Sequence, residues 1–133
     1  MLIEARPPLD PELAALVAAQ QHEGGSAFRP DDRAAYFVGL VDGRAVACGA
    51  WQPLPESDVA ELNRLYVRPS FRGRGLARQM IVTIEEEALA ASRPVMRLTA
   101  ALSPAAIALF QSSGYHLVAG RDVLEKRLVA LVQ

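Results

Sequence analysis

Residues 58 to 88 change their periodicity within a dozen positions, and that change limits what the chain can fold into. From Asp58 to Val67, Val59, Glu61, Asn63, Leu65 and Val67 alternate with Ala60, Leu62, Arg64 and Tyr66, the period of a strand whose successive side chains point to opposite faces. From Leu76 the period becomes helical: Ala77, Met80, Ile81, Ile84 and Ala88 fall on one stripe, which leaves Glu85, Glu86 and Glu87 largely on the solvent side. Between the two runs stands YVRPSFRGRGLA, residues 66 to 77, with Arg68, Arg72 and Arg74 crowded around Gly73 and Gly75. A glycine-bearing turn that feeds a strand into a helix aims several unpaired backbone N–H groups at one spot, where the helix dipole also favours negative charge. Without a Cβ, Gly73 and Gly75 let a bulky anion approach the backbone, and Arg72 and Arg74 can add charge-assisted hydrogen bonds at the rim. The hinge reads as a cradle for a pyrophosphate or a similar anion.

The flanking segments supply the rest of the fold. Tyr36 to Val41 and Arg44 to Trp51 are β-rich runs joined by Asp42-Gly43, a pair that favours positive φ, and they predict an antiparallel hairpin. Leu2 to Ala5 is a short strand. Asp10-Pro11 is an N-cap and a first-turn proline for a helix whose face carries Leu13, Leu16, Val17 and Gln20, ending near Gly24-Gly25. The polar stretch from there to Arg33 fits a second short helix or a loop equally well. Val95 to Thr99 returns to strand, Ser103-Pro104 caps a helix through Ile107 and Phe110 to Gly114, and Tyr115 to Val118 with Val123 to Leu128 form a last strand pair. There is no internal repeat or linker, so residues 1–133 read as a single domain.

Composition then removes whole classes. A net charge of −1 and a pI near 6.1 leave no global electrostatic footprint for nucleic acid or an anionic membrane. The single Cys48 and the pair His22 and His116 give no cluster at metal-ligand spacing, so no metal is expected. Glu4 interrupts the apolar start that a secretory segment needs, and no run approaches a membrane span. A cytoplasmic protein is the expectation. The phosphate-loop NTPase pattern needs Gly-Lys-Ser/Thr, but Leu76 and Ala77 follow Gly75. The dinucleotide fingerprint needs a third glycine where Arg78 stands, and βαβ units where this chain has a hairpin.

The same residues resemble the GCN5-related N-acetyltransferase (GNAT) family, whose acyl-CoA loop reads Gln/Arg-x-x-Gly-x-Gly/Ala and is met by Arg72, Gly75 and Ala77. AELNRLYVRP is similar to that family's central strand and its Val-x-Pro turn. SPAAIALFQSSGY is similar to its later Ala-x-x-Leu-aromatic-x-x-x-Gly-aromatic segment, with order and spacing kept over about residues 36 to 119. The resemblance implies an α/β (α+β) fold with a mixed, mostly antiparallel central sheet, flanked by helices and splayed between its central strands at a bulge, which would shift the register between Glu61 and Leu65. It implies acetyl-CoA as cosubstrate and an amine as acceptor. Main-chain groups of Leu65, Tyr66 and Val67 would then hold the pantetheine arm and thioester, and the amides of Arg72, Gly73, Arg74, Gly75, Leu76 and Ala77 the pyrophosphate. A backbone N–H near Leu65 would stabilise the oxyanion. Glu61 stands where several members carry a general base. Ser103 falls near a common pantetheine contact and Phe110 where many members place a tyrosine acid; phenylalanine has no proton to give, so solvent, Tyr115 or a serine would have to substitute. A homodimer is among the assemblies the resemblance allows.

Structural readings stand beside these. Glu61 is equally well read as a partner of Arg64, the histidines as surface or packing groups, Cys48 as a small core residue, and Trp51 and Tyr66 as core or acceptor-pocket residues. Two functions follow: an N-acetyltransferase acting by direct attack of a primary amine on the thioester, or a non-catalytic acyl-CoA-binding module that keeps the cradle. Neither reading names the amine.

Overall fold

In the computed structural model, residues 1–24 and 27–129 are described; Gly25, half of the expected helix stop, lies outside the described residues. The elements run β1 (Leu2–Arg6), α1 (Pro11–His22), β2 (Ala35–Val41), β3 (Arg44–Pro53), β4 (Val59–Val67), a 3₁₀ turn at Pro69–Phe71, α2 (Leu76–Ala90), β5 (Val95–Thr99), α3 (Pro104–Ser112), β6 (His116–Leu117) and β7 (Val123–Arg127). The strands form one sheet in the order β1-β2-β3-β4-β5-β7-β6, in which only the β4–β5 pair is parallel. Among the described residues of the polar stretch before Arg33, 27 to 33 carry no second helix.

Local chemistry accounts for the element ends. Asp10 accepts the Leu13 amide at 2.9 Å, with Pro11 at the first helical position of α1. The β2–β3 turn places Asp42 at φ 50° and Gly43 at φ 77°, the two successive left-handed residues that match the twist of a tight hairpin. Ser103 caps α3 by accepting the Ala106 amide at 3.2 Å.

Each face of the sheet has its own core. Leu13, Leu16 and Val17 of α1 pack on Tyr36, Val38, Cys48, Ala50 and Tyr66. On the other face Met80, Ile81, Ile84 and Ala88 of α2, with Phe110 of α3, pack on Ala60, Leu62, Val67, Met96 and Leu98. Helix α2 comes close to β3 because Gly49 has no side chain: a Cβ there would sit 2.6 Å from Ile84 Cδ1.

Two expectations are corrected. The alternation of the third strand does not run unbroken from Val59 to Val67. Ala50 pairs with Asn63 and Cys48 with Tyr66, so Arg64 and Leu65 together oppose Gly49, and Arg64 takes φ 58°. This β-bulge inserts one residue and inverts the faces beyond it. Glu61 and Asn63 therefore share the α1 face with Tyr66, whereas Leu65 and Val67 point with Ala60 and Leu62 toward α2. The second correction concerns the glutamate run. Glu86 and Glu87 are exposed, but Glu85 is buried at 9% exposure, where it accepts the Tyr115 hydroxyl at 2.7 Å and faces Lys126 Nζ at 3.0 Å. A buried carboxylate is tolerated when such partners replace its water.

Candidate active site

The β4–β5 ladder joins Val59 to Val95, Ala60 to Met96 and Glu61 to Arg97, and it stops there, although β4 continues for six residues. Past the last rung the strands enclose a cavity of about 920 Å³, walled by β4 from Leu62 to Val67, by Leu98 and Thr99 of β5, by the glycine hinge, and by the start of α3. Glu61 sits at the closed end of this wedge. The hinge lies at the other end of the β4 wall.

At that end Gly75 is the N-cap of α2, at φ 78°, and Gly73 has the same φ. A Cβ at either position would meet no atom within 4 Å, so the space over the hinge is open. Gln79 N bonds back to Gly75 O at 3.2 Å, the first helical bond, which leaves the amides before it aimed out of the helix end. The arginine side chains around the hinge are engaged by protein groups. Arg72 donates from Nε to Val67 O at 2.8 Å and from Nη2 to Glu23 Oε1 at 2.8 Å, and it lies over the Tyr66 ring. Arg74 bonds Ser70 O and stacks over Phe71, and Arg68 Nε reaches Ala45 O. The hinge thus presents main-chain amides at the positive end of the α2 dipole, while its three arginines are engaged by protein acceptors.

Of the residues singled out in the sequence, Leu65, Tyr66, Val67, Arg72, Gly73, Gly75, Leu76, Ala77, Ser103 and Phe110 all line the cavity, whereas Arg74 and Glu61 are not in its lining. Glu61 accepts Gln52 Nε2 at 3.1 Å and has Asn63 Nδ2 at 3.5 Å. Arg64 pairs elsewhere: it donates to Ala27 O and lies over the Phe28 ring. Phe110 is buried and packs edge-on to Tyr115 with ring centroids 5.3 Å apart. Tyr115 is no substitute acid, because its hydroxyl already donates to Glu85 and burial, followed by that carboxylate's charge, holds its pKa well above the ordinary tyrosine value. Both histidines are exposed, and Cys48 is fully buried with its thiol pushed up to about 12 by desolvation.

Sequence reasoning passed over Gln20, which donates from Nε2 to Leu65 O at 3.1 Å and lines the cavity. Its one signal was a polar side chain within the apolar stripe of α1. Glu23 was also missed. It accepts the Tyr66 hydroxyl and Arg72 together, and these two bonds hold its carboxyl below the usual range, tying the end of α1 to the hinge.

Comparison with known proteins agrees with this architecture. The profile of the Acetyltransferase (GNAT) family matches residues 4–115, and the chain belongs to that family. It is 36% identical over 85 residues to the uncharacterized N-acetyltransferase YjgM of Escherichia coli, covering 61% of this chain and 50% of that protein. It is 33% identical over 88 residues to the IAA acetyltransferase of Azospirillum brasilense, covering 65% and 56%. The chain thus spans about half the length of the curated relatives it matches. A solved Klebsiella pneumoniae structure, 29% identical, covers 96% of this chain and 97% of that one at a TM-score of 0.74. N-acetylglutamate synthase of Neisseria gonorrhoeae, solved with coenzyme A and N-acetyl-glutamate, covers 98% of this chain and 36% of that one at a TM-score of 0.77, and at 18% identity this likeness concerns the fold.

Proposed function

We propose that this chain is an N-acetyltransferase that moves an acetyl group from acetyl-CoA to a primary amine of a small molecule or peptide by direct attack on the thioester. The observation that carries the reading is the wedge itself: a run of β4 left without its β5 partner, with a glycine hinge and helix N-terminus at one end and a carboxylate at its apex. Amides of Arg72 to Ala77 hold the pyrophosphate, and main-chain groups of Leu65, Tyr66 and Val67 hold the pantetheine arm as an extended chain would be held at a strand edge. Ser103 and Phe110 bound the arm from α3. The neutral amine attacks the carbonyl carbon, the C–N bond forms, and the oxyanion is held by an N–H near Leu65. The C–S bond then breaks and CoA leaves as thiolate. A thiol of pKa about 8.5 is a tolerable leaving group near neutral pH, so Phe110 in place of an acid need not stop the reaction. Glu61 takes the ammonium proton, directly or through one water.

The test is turnover of acetyl-CoA against a panel of amines, set beside CoA binding. Glu61→Gln keeps the size and the Gln52 contact but removes the basic oxygen. Turnover is expected to fall on the order of 10²-fold with CoA affinity unchanged. Turnover within a few fold of the parent would make Glu61 a structural charge, and CoA binding without turnover of any amine in the parent would favour a binding module.

A further inference from the structure

The face of the sheet that carries Glu61 holds one continuous polar row. The strand registers place Gln52 beside Glu61, Glu61 beside Arg97, Arg97 beside Glu125, and Glu125 beside His116. Met96, Leu98 and Leu124 point into the α2 core, which puts Arg97 and Glu125 on the opposite face with Glu61. Helix α1 packs on β2, β3 and β4, to one side of most of this row.

Arg97 is therefore the immediate cross-strand neighbour of the carboxylate proposed as base. Strands lie about 4.8 Å apart, and an arginine so close to a carboxylate ordinarily pairs with it and lowers its pKa by roughly 1–3 units. A base pulled down that far becomes a poor acceptor for an ammonium proton. Arg97 does not make that pair. Its Nε donates to Glu125 Oε1 at 2.7 Å and its Nη1 to Glu56 Oε2 at 3.2 Å, and its side chain is only 14% exposed. Two charge-assisted bonds in a partly desolvated site commit the guanidinium to Glu125 and Glu56 rather than to Glu61. Glu61 instead accepts from the neutral amides of Gln52 and Asn63.

We infer that Glu125 and Glu56 are positioning residues for the reaction: by holding Arg97 they keep a cation off Glu61 and preserve it as a proton acceptor. This inference rests on the reading of Glu61 as base. The groups facing the carboxylate are Gln52 on β3, Asn63 on β4 and Arg97 on β5. Behind Arg97 stand Glu125 on β7, His116 on β6 and Glu56 in the β3–β4 connection. Arg93 is committed to the carbonyls of Leu54, Glu56 and Val59, and Arg127 lies two rungs beyond, opposite Val95. From the α1 side Gln20 bonds Leu65 O, and Arg64 is turned to Ala27 O and Phe28.

The experiment uses the full chain with Glu56→Gln/Glu125→Gln, which keeps both shapes and removes both charges that hold Arg97. Carbon-detected NMR follows the Glu61 carboxyl through a pH titration, its resonance assigned by its loss in Glu61→Gln. The pH dependence of kcat/KM is taken with acetyl-CoA and the best amine of the panel. Freed of its partners, Arg97 swings to Glu61, and the Glu61 midpoint is expected to fall by about one pH unit. The acid limb of kcat/KM moves down with it, and adding Arg97→Gln returns both to the parent position. A role in folding alone would lower stability without moving the midpoint, and Arg97→Gln would not reverse it. An unchanged midpoint in the folded double variant, or a shift that persists after Arg97→Gln, overturns the inference. A midpoint that falls while the pH–rate profile stays put upholds the positioning and removes Glu61 as base. If the double variant does not fold, Glu56→Gln alone, at the more exposed of the two carboxylates, carries the same test with a smaller shift of the same sign.

Discussion

Replacing Gly75 separates two effects that the hinge combines. Its φ of 78° is open to glycine at no cost, while an alanine there loses about 1–2 kcal/mol to the left-handed conformation. At roughly 3–5 °C per kcal/mol for a chain of this size, the melting temperature of Gly75→Ala should fall by about 3–10 °C. Asparagine tolerates the left-handed region better, so Gly75→Asn should recover part of that loss while putting more atoms into the same space. A Cβ there meets no protein atom within 4 Å, and Gly75 lines the cavity where the proposed pyrophosphate sits, so a ligand on the hinge is what the new side chain would obstruct. CoA at a concentration of 100 times the parent dissociation constant stabilises the parent by about 2.7 kcal/mol, and a tenfold loss of affinity cuts this to about 1.4 kcal/mol. The CoA-induced rise in melting temperature should therefore halve or worse in both variants, and isothermal titration should give the same ratio. Variants that melt lower yet keep the full CoA-induced rise would show that the hinge glycines serve the backbone alone, and the cradle assignment would be lost.

Three further outcomes follow from single sites. Phe110→Tyr should keep fold and CoA binding, because ring volume is nearly conserved, and should turn over acetyl-CoA at least as fast as the parent; a tenfold loss with CoA binding intact would mean that the leaving thiolate is protonated from elsewhere by a route the added hydroxyl disturbs. Asp10→Ala removes the cap on Leu13 N and one carboxylate partner of Arg6, and urea unfolding should show a loss of about 1 kcal/mol with the dissociation constant for CoA unchanged. Tyr115 has a folded-state pKa raised above its unfolded value of about 10, so its contribution is complete below pH 10 and is lost as pH rises beyond it. Between pH 10 and 11 the parent should lose stability more steeply than Tyr115→Phe, by up to about 1.4 kcal/mol per pH unit, and equal slopes would mean that the phenol ionises as readily in the folded chain as in the unfolded one.

What could be read from the sequence was what neighbouring residues decide among themselves. The hairpin was legible because Asp42-Gly43 carries its own turn geometry, and α1 because Asp10-Pro11 carries its own cap. The glycine hinge was legible because glycines and helix start are adjacent in the chain. Glu85 was misread for the opposite reason. In the run Glu85-Glu86-Glu87 nothing local distinguishes the buried member, whose partners Tyr115 and Lys126 lie 30 and 41 residues away. Gln20 and Glu23 escaped in the same way, since their partners Leu65, Tyr66 and Arg72 are brought to them only by the packing of α1 on β4. The side chains of Arg72 and Arg74 followed the nearest carbonyls, carboxylate and aromatic ring, which charge counting along the chain does not reveal.

The bulge at Arg64 and Leu65 had no signature in its own strand, yet it organises the site. The glycine that accommodates it is Gly49, across the sheet, and the residue at positive φ is an arginine. Without the extra residue a strict alternation would turn Glu61 to the same side as Leu65 and Val67, into the core under α2. There an unpaired carboxylate would cost several kcal/mol or take up a proton. With the bulge, one strand offers a polar face before residue 64 and an apolar face for α2 after it, and its main chain passes between the two along the cavity wall. Bulges also increase local twist, which suits a strand leaving its neighbour after the Glu61–Arg97 rung. The left-handed conformation at Arg64 costs about 1–2 kcal/mol, and the residue is anchored by its bond to Ala27 O and its stacking on Phe28. One strained residue thus allows a single strand to carry both the carboxylate at the apex and the open wall beyond it.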